Sequence, residues 1–345
     1  MNFMSDNAAG APPEIIAALA RANDGMAASY GGDTVTARLT EKLSAFFEKE
    51  VAVFPVATGT AANALALATL TPQYGAVFCH EGSHIHVDEC GAPEFYSGAK
   101  LVPLAGAQGK ITIAGLKSSL AHFIRGYVHH VQPATISITQ ATEFGTVYTP
   151  AEVSALSQFA VQEKLALHMD GARFANALAH LKCSPAEITW KAGVEALSFG
   201  ATKNGALAAE AVIFFDPARA ADMAYRRKKA GHLFSKMRFL SAQIEAMLDN
   251  GLWLRLASNA NAMATRLSEG LKAIPGYTIV QPVQSNEVFV KVPSETAMKS
   301  LEDKGAKFYL WEPVTDGRPL IRLVCSFATS AEEVDAFIKL AKAVA

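Results

Sequence analysis

Lys203 stands alone in SFGATKNGA (198–206), with no acidic or basic residue for several positions on either side. Two chemistries compete for it. One is a solvated loop that happens to contain a lysine. The other is an amine held near reactive groups, able to lose its proton and attack a carbonyl carbon to form an imine. Asp170 ends the apolar run LALHMDGAR (165–173). A carboxylate at a strand end of that kind could face a ring nitrogen and keep it protonated, or merely cap the helix that follows. In VAVFPVATGTAAN (51–63), a strand pattern runs through Thr58, Gly59 and Thr60 into an alanine-rich helix. A helix start leaves about four N–H groups unpaired and carries partial positive charge, so Gly59 and Thr60 suit a phosphate; the plainer alternative makes Thr60 an N-cap. The spacing is not that of a nucleotide loop, which favours a small phosphorylated cofactor.

SHIHVDECG (83–91) offers rival uses. His84, His86 and Asp88 partly match a zinc-ligand run, with Glu89 where a further histidine belongs. Alternatively one imidazole stacks on a planar cofactor ring, or the two histidines simply mark a strand end. Arg322 lies inside the apolar stretch RPLIRLVCSFATS (318–330), and its planar fork matches a substrate carboxylate; the plainer reading is an outward charge on a half-exposed strand. Joined in chain order, the phosphate cup, Asp170 and Lys203 form the set expected for pyridoxal phosphate. The lysine holds the aldehyde carbon, the aspartate keeps the ring electron-poor, the helix end takes the phosphate and Thr202 adds a contact.

These residues need a scaffold of strand ends. VAVFPV (51–56), AVFCH (76–80), ATISIT (134–139), LALHMD (165–170), ALSFG (196–200) and AVIFF (211–215) read as strands. Helical patterns lie between most of them, over 60–70, 113–123, 150–163 and 184–192. That alternation predicts an α/β fold with a mostly parallel sheet, which binds ligands at the C-terminal ends of its strands. Beyond RRKKAG (226–231) the pattern changes. Leu252, Leu256, Met263, Leu267 and Leu271 share one helical face that Gly276 ends, and EVFVKV (287–292) alternates as a strand. A large domain over 1–247, including an N-terminal arm, and a smaller α+β domain over 248–345 are expected.

Composition bounds the partners. The chain has 345 residues, half of them hydrophobic, and a net charge of -1. That balance gives no electrostatic reason to expect nucleic acid or an anionic membrane, and favours a small molecule. Cys79, Cys90, Cys183 and Cys325 are scattered without a C-x-x-C pair. With no basic-then-apolar leader in MNFMSDNAAG and no long apolar run, a cytoplasmic protein is expected.

YGGDTVTARLTEKL, ATGTAAN, SHIHVDECG, MDGAR, SFGATKNGA and IRLVCSFAT, in this order, resemble the low-specificity L-threonine aldolases. These belong to the β-eliminating-lyase group of fold-type-I pyridoxal-phosphate enzymes, and the resemblance covers nearly the whole chain. It implies retro-aldol cleavage of L-threonine, L-allo-threonine and related β-hydroxy-α-amino acids, phenylserine among them, to glycine and an aldehyde. By this resemblance Lys203 bears the cofactor, Asp170 faces its ring nitrogen, and Gly59 with Thr60 holds its phosphate. His84 stacks on the ring with His86 beside it, and Arg173, Arg322 and Ser5 grip the substrate carboxylate. Lys228, Lys229 and Arg238 reach a neighbouring subunit's phosphate within a homotetramer or at least a homodimer. TQATEF (139–144) departs from the family's ENTHN and places Thr142 where a second active-site histidine stands, leaving the catalytic base open between His84 and a water. Rival readings are another pyridoxal-phosphate β-eliminating lyase or an aminotransferase and, more distantly, a metal-dependent hydrolase on His84, His86 and Asp88.

Overall fold

A computed structural model describes residues 1–314 and 316–345. Each apolar run singled out above becomes a strand, because a short β-branched segment buried on both faces is what a covered parallel sheet requires. The strands of the larger sheet are β1 (Ala52–Val56), β2 (Gly75–His80), β3 (Lys100–Leu104), β4 (Gln132–Thr139), β5 (Ala166–Gly171), β6 (Ala196–Gly200) and β7 (Glu210–Phe214). They lie in the order β1-β7-β6-β5-β4-β2-β3, and every residue of β2, β5 and β7 is buried.

Strand β7 runs antiparallel to both neighbours, β1 and β6. The connection 201–209 that precedes it explains the reversal. A parallel return needs a crossover of about a dozen residues or more, and this segment is too short for one. The same short connection carries Lys203, pinning it at the rim of the sheet.

Strand β3 is absent from the expected set. Its sequence KLVPL contains Pro103, and only Leu101 and Leu104 are buried, which fits an edge strand and hides the pattern. The helix expected over 184–192 is broken: Pro185–Ile188 is helical, Thr189 leaves helical geometry, and Trp190–Ala192 forms a separate turn. The long helix spans Leu252–Lys272, stopping short of Gly276, whose φ of +87° serves the turn beyond.

The second sheet is antiparallel, in the order β10 (Tyr309–Leu310), β11 (Leu320–Val324), β9 (Glu287–Lys291), β8 (Thr278–Ile279). Leu252, Trp253 and Ala257 of the long helix pack into the main core, whereas Ala264, Leu267 and Leu271 pack into the core under this sheet. We propose the division near residue 248 as a boundary of the chain, with this helix shared by both cores. The N-terminal arm crosses it as well. Phe3 is buried in the smaller core, its N–H donating to Lys307 O at 2.8 Å and its carbonyl accepting from Val324 N–H at 2.8 Å.

Candidate active site

Strand register assembles the site. Thr139, Asp170 and Ser198 lie side by side at the C-terminal ends of β4, β5 and β6. One pleat below, His168 is bonded to Ser137 Oγ at 2.9 Å and Ser198 Oγ at 3.0 Å. Burial pushes its pKa down to about 4, so the imidazole stays neutral beneath the site. Above this floor opens a cavity of about 350 Å³ whose lining includes Gly59, Thr60, His84, Asp170, Thr202 and Lys203. A second lobe of about 290 Å³ shares His84, Asp170 and Lys203 and adds Ser5, Arg173 and Arg322.

In the first lobe the polar groups are linked in a chain, which leaves Asn63 Oδ1 and Glu89 Oε2 buried without a hydrogen-bond partner among the described residues. Asp170 Oδ1 accepts from the Ala172 N–H at 2.9 Å, and Oδ2 from Asn63 Nδ2 at 2.8 Å. Asn63 donates also to Glu89 Oε1 at 2.8 Å, and that oxygen lies 2.7 Å from His84 Nδ1. The hydrogen bond to Glu89 raises the His84 pKa above its ordinary value. Asp170 therefore braces its own turn and does not cap the next helix, whose N-cap is Arg173.

Capping at the phosphate cup falls to Thr58, whose Oγ accepts from the Ala61 N–H at 3.2 Å. Thr60 is thereby released from the capping role and lines the cavity. The first N–H groups of this helix have no intrahelical partner by position. A Cβ added at Gly59 would meet nothing within 4 Å, so the backbone there is open to a ligand. Lys203 makes no hydrogen bond or ion pair among the described residues. A free amine, a braced carboxylate and an open helix start fit a phosphorylated aldehyde with a ring nitrogen.

The second lobe is built from charges. Arg173 donates from Nε to Asp6 Oδ2 at 2.8 Å and from Nη2 to Asp6 Oδ1 at 3.2 Å, while its Nη1 lies 3.4 Å from Glu287 Oε2. Burial opposes the charge on Arg173, but Asp6 and Glu287 outweigh it and hold the guanidinium above its ordinary pKa. Arg322 packs over Trp311 at 4.9 Å and Tyr309 at 5.4 Å, and its Nη1 is 3.8 Å from Glu287 Oε1. Burial lowers its pKa. Ser5 lines the lobe while its Oγ accepts from the Asn7 N–H at 3.1 Å.

Several expectations need correction. His84 and His86 occupy a helical turn, His84–Val87, and not a strand end. On a strand residues two apart share a face, but on a helix they diverge by about 200°. His84 consequently lines the cavity while His86 is exposed outside it. Asp88 is also exposed, and no group of three potential metal ligands exists among the described residues. Thr142 turns away from the site: its Oγ donates to Gln108 O at 3.1 Å and lies 2.8 Å from Thr146 Oγ. Its neighbour Glu143 faces the second lobe instead. Lys228 sits over the Tyr30 ring at 5.0 Å and Arg238 donates to Gly25 O at 3.3 Å; neither they nor the exposed Lys229 line this chain's own cavity.

Asn63, Asp6, Glu143 and Glu287 were not singled out from sequence, and Glu89 was noted only as the residue in place of a further histidine. Asn63 carried the clearest signal, lying one turn below Gly59 on the helix that faces the strand ends.

A seven-stranded α/β sheet, an appended antiparallel sheet and a lysine at the rim beside a strand-end aspartate define the fold-type-I pyridoxal-phosphate architecture. Residues 2–295 match the family model described as beta-eliminating lyase, and the chain belongs to that family. It is 45% identical over 333 residues to the low specificity L-threonine aldolases of a Pseudomonas species and of Pseudomonas aeruginosa, covering 96% of this chain and 94% of each relative. Among solved structures, the threonine aldolase of Leishmania major superposes with a TM-score of 0.94 at 30% identity, covering 100% of this chain and 99% of that one. Serine palmitoyltransferase of Sphingomonas wittichii, at 14% identity and a TM-score of 0.74 over 100% of this chain and 86% of its own, shares the fold alone.

Proposed function

We propose that the protein cleaves L-threonine and related L-β-hydroxy-α-amino acids between Cα and Cβ, giving glycine and an aldehyde, with pyridoxal phosphate as its cofactor. The observation that carries the reading is the unpartnered Lys203 amine on the wall shared by the two lobes. When bound, the cofactor supplies a sink for the electron pair left on Cα. Lys203 anchors it by its carbonyl carbon, and Asp170 holds the proton of the ring nitrogen. Gly59, Thr60 and Thr202 take the phosphate, and His84 covers the ring. Arg322 and Arg173, with Ser5, orient the substrate carboxylate, which aims the Cβ hydroxyl into the second lobe. No helix among the described residues is long and apolar enough to cross a membrane. We place the enzyme in the cytoplasm as a homotetramer or homodimer, with Lys228, Lys229 and Arg238 turned toward a neighbouring subunit.

Incubation of the cofactor-loaded protein with L-threonine, L-serine, L-tyrosine or a keto acid tests this. Acetaldehyde and glycine from L-threonine are expected. Ammonia with a keto acid would assign a β-eliminating lyase, and exchange of amino groups an aminotransferase. Lys203→Ala is expected to lower the rate on the order of 10⁴-fold or more, because the lost amine acts at every turnover.

A further inference from the structure

We propose that Glu143 is the base that takes the proton from the substrate's β-hydroxyl. The inference rests on the aldolase reading and names the group that reading lacks.

Its geometry separates the two carboxylate oxygens. Oε1 is committed, accepting from the His84 N–H at 2.7 Å and from Thr139 Oγ at 2.9 Å. Oε2 is buried and has no hydrogen-bond partner among the described residues. The side chain lines the second lobe together with Lys203, Arg173 and Arg322. A substrate held by its carboxylate on the arginines and by its nitrogen at Lys203 presents its third substituent, Cβ with the hydroxyl, to this wall. A buried carboxylate oxygen left open there costs free energy until a donor arrives, and the β-hydroxyl is a donor of the right kind.

The electrostatics agree. Burial, reinforced by the negative charge of Asp170, raises the Glu143 pKa to about 7, where a carboxyl both takes and returns protons efficiently. Lys203 also faces this group, as do the Arg173 guanidinium, the His84 turn, and the Cys79 thiol and Tyr148 phenol, both held protonated by burial. His84 is the weaker candidate. Its hydrogen bond to Glu89 favours the imidazolium, which has no lone pair to accept a proton.

The step balances without another reactant. Oε2 takes the hydroxyl proton, the O–H pair becomes the second bond of the aldehyde carbonyl, and the Cα–Cβ bond breaks. Its pair stays at Cα, which then gains one proton to complete glycine.

The test compares the cofactor-loaded parent with Glu143→Gln, which keeps shape and removes basicity. Cleavage of L-threonine is expected to fall about 10²–10⁴-fold. Exchange of the glycine α-proton with deuterated water, which involves no β-hydroxyl, should stay within a few-fold of the parent. Parent kcat should rise with pH through about 7 and level off, because Glu143 acts when ionised, and the variant should lose that limb. Difference infrared titration adds a readout independent of turnover: a protonated-carboxyl band titrating in the same range, missing from Glu143→Gln. Cleavage preserved within about three-fold would overturn the assignment, as would cleavage and glycine exchange falling together. A parent that never cleaves L-threonine would overturn the aldolase reading itself, a result distinct from either.

Discussion

The two lobes that meet at Lys203 differ in how far their polar groups are tied to one another. In the first, Asp170, Asn63, Glu89 and His84 form an unbroken chain of contacts between 2.7 and 2.8 Å. Only Asn63 Oδ1 and Glu89 Oε2 stay unpartnered there; in the second, Glu143 Oε2 and Arg322 Nε, with both oxygens of Glu287 beside the arginines, are buried without a hydrogen-bond partner among the described residues. A continuous polar network is rigid and holds its geometry whether or not it is loaded, which suits a resident cofactor. A set of charges with fewer links of its own gains more when a ligand arrives, which suits a substrate that comes and goes at each turnover. The longer hydrogen-bonded chain lies where the group stays, and the open carboxylate and guanidinium atoms of Glu143 and Arg322 lie where it leaves.

The largest test of this contrast is Arg173→Ala. Asp6 and Glu287 would lose the cation that faces both, and stripping one partner from a buried ion cluster costs about 3–5 kcal/mol. Urea unfolding should show that loss, and adding Asp6→Asn should recover part of it. A loss below about 1 kcal/mol would mean that water reaches these charges and that the second lobe is not under strain.

Beneath the first lobe the expected effect is slightly smaller and depends on pH. His168 is fully buried with both ring nitrogens engaged, and its folded pKa of about 4 lies below the ordinary 6.5. Above pH 6.5 both folded and unfolded forms are neutral, so pH has no leverage there. As pH falls from 6.5 to 4 the unfolded chain takes up a proton that the folded one refuses. Stability should therefore drop through this window by about 3 kcal/mol in all, at ~1.4 kcal/mol per pH unit. His168→Gln should flatten that slope in pH-dependent urea unfolding, and an unchanged slope would remove His168 as its source.

The same contrast decides what the sequence disclosed. Lys203, Asp170, Gly59 and Thr60 were legible because each sits at a strand end or helix start, where local pattern and parallel-sheet geometry together locate the crevice. Asp6 was not legible, because the arginine it meets lies 167 residues away. Glu287 reads locally as one more polar residue opening a strand, and only the approach of β9 to Arg173 and Arg322 gives it meaning. Glu143 was hidden by a single step of register. Thr142, next to it, turns into the protein while the carboxylate turns to the cavity.

Glu287 carries the smallest expected effect. Its carboxylate stands between the two arginines, 3.4 Å from Arg173 and 3.8 Å from Arg322, where a substrate carboxylate must also compete for donors. Burial raises its pKa; the arginines pull the other way without reversing the shift. Part of the arginine charge is thus already answered before substrate arrives, and an incoming carboxylate meets a like charge. Glu287→Gln removes that charge while leaving the side chain's volume in place. KM for L-threonine should fall about 5-fold, equivalent to ~1 kcal/mol, with kcat little changed. If KM instead rises, Glu287 is holding Arg322 in place, and the open hydrogen bonding of the second lobe belongs to Glu143 and the arginines alone.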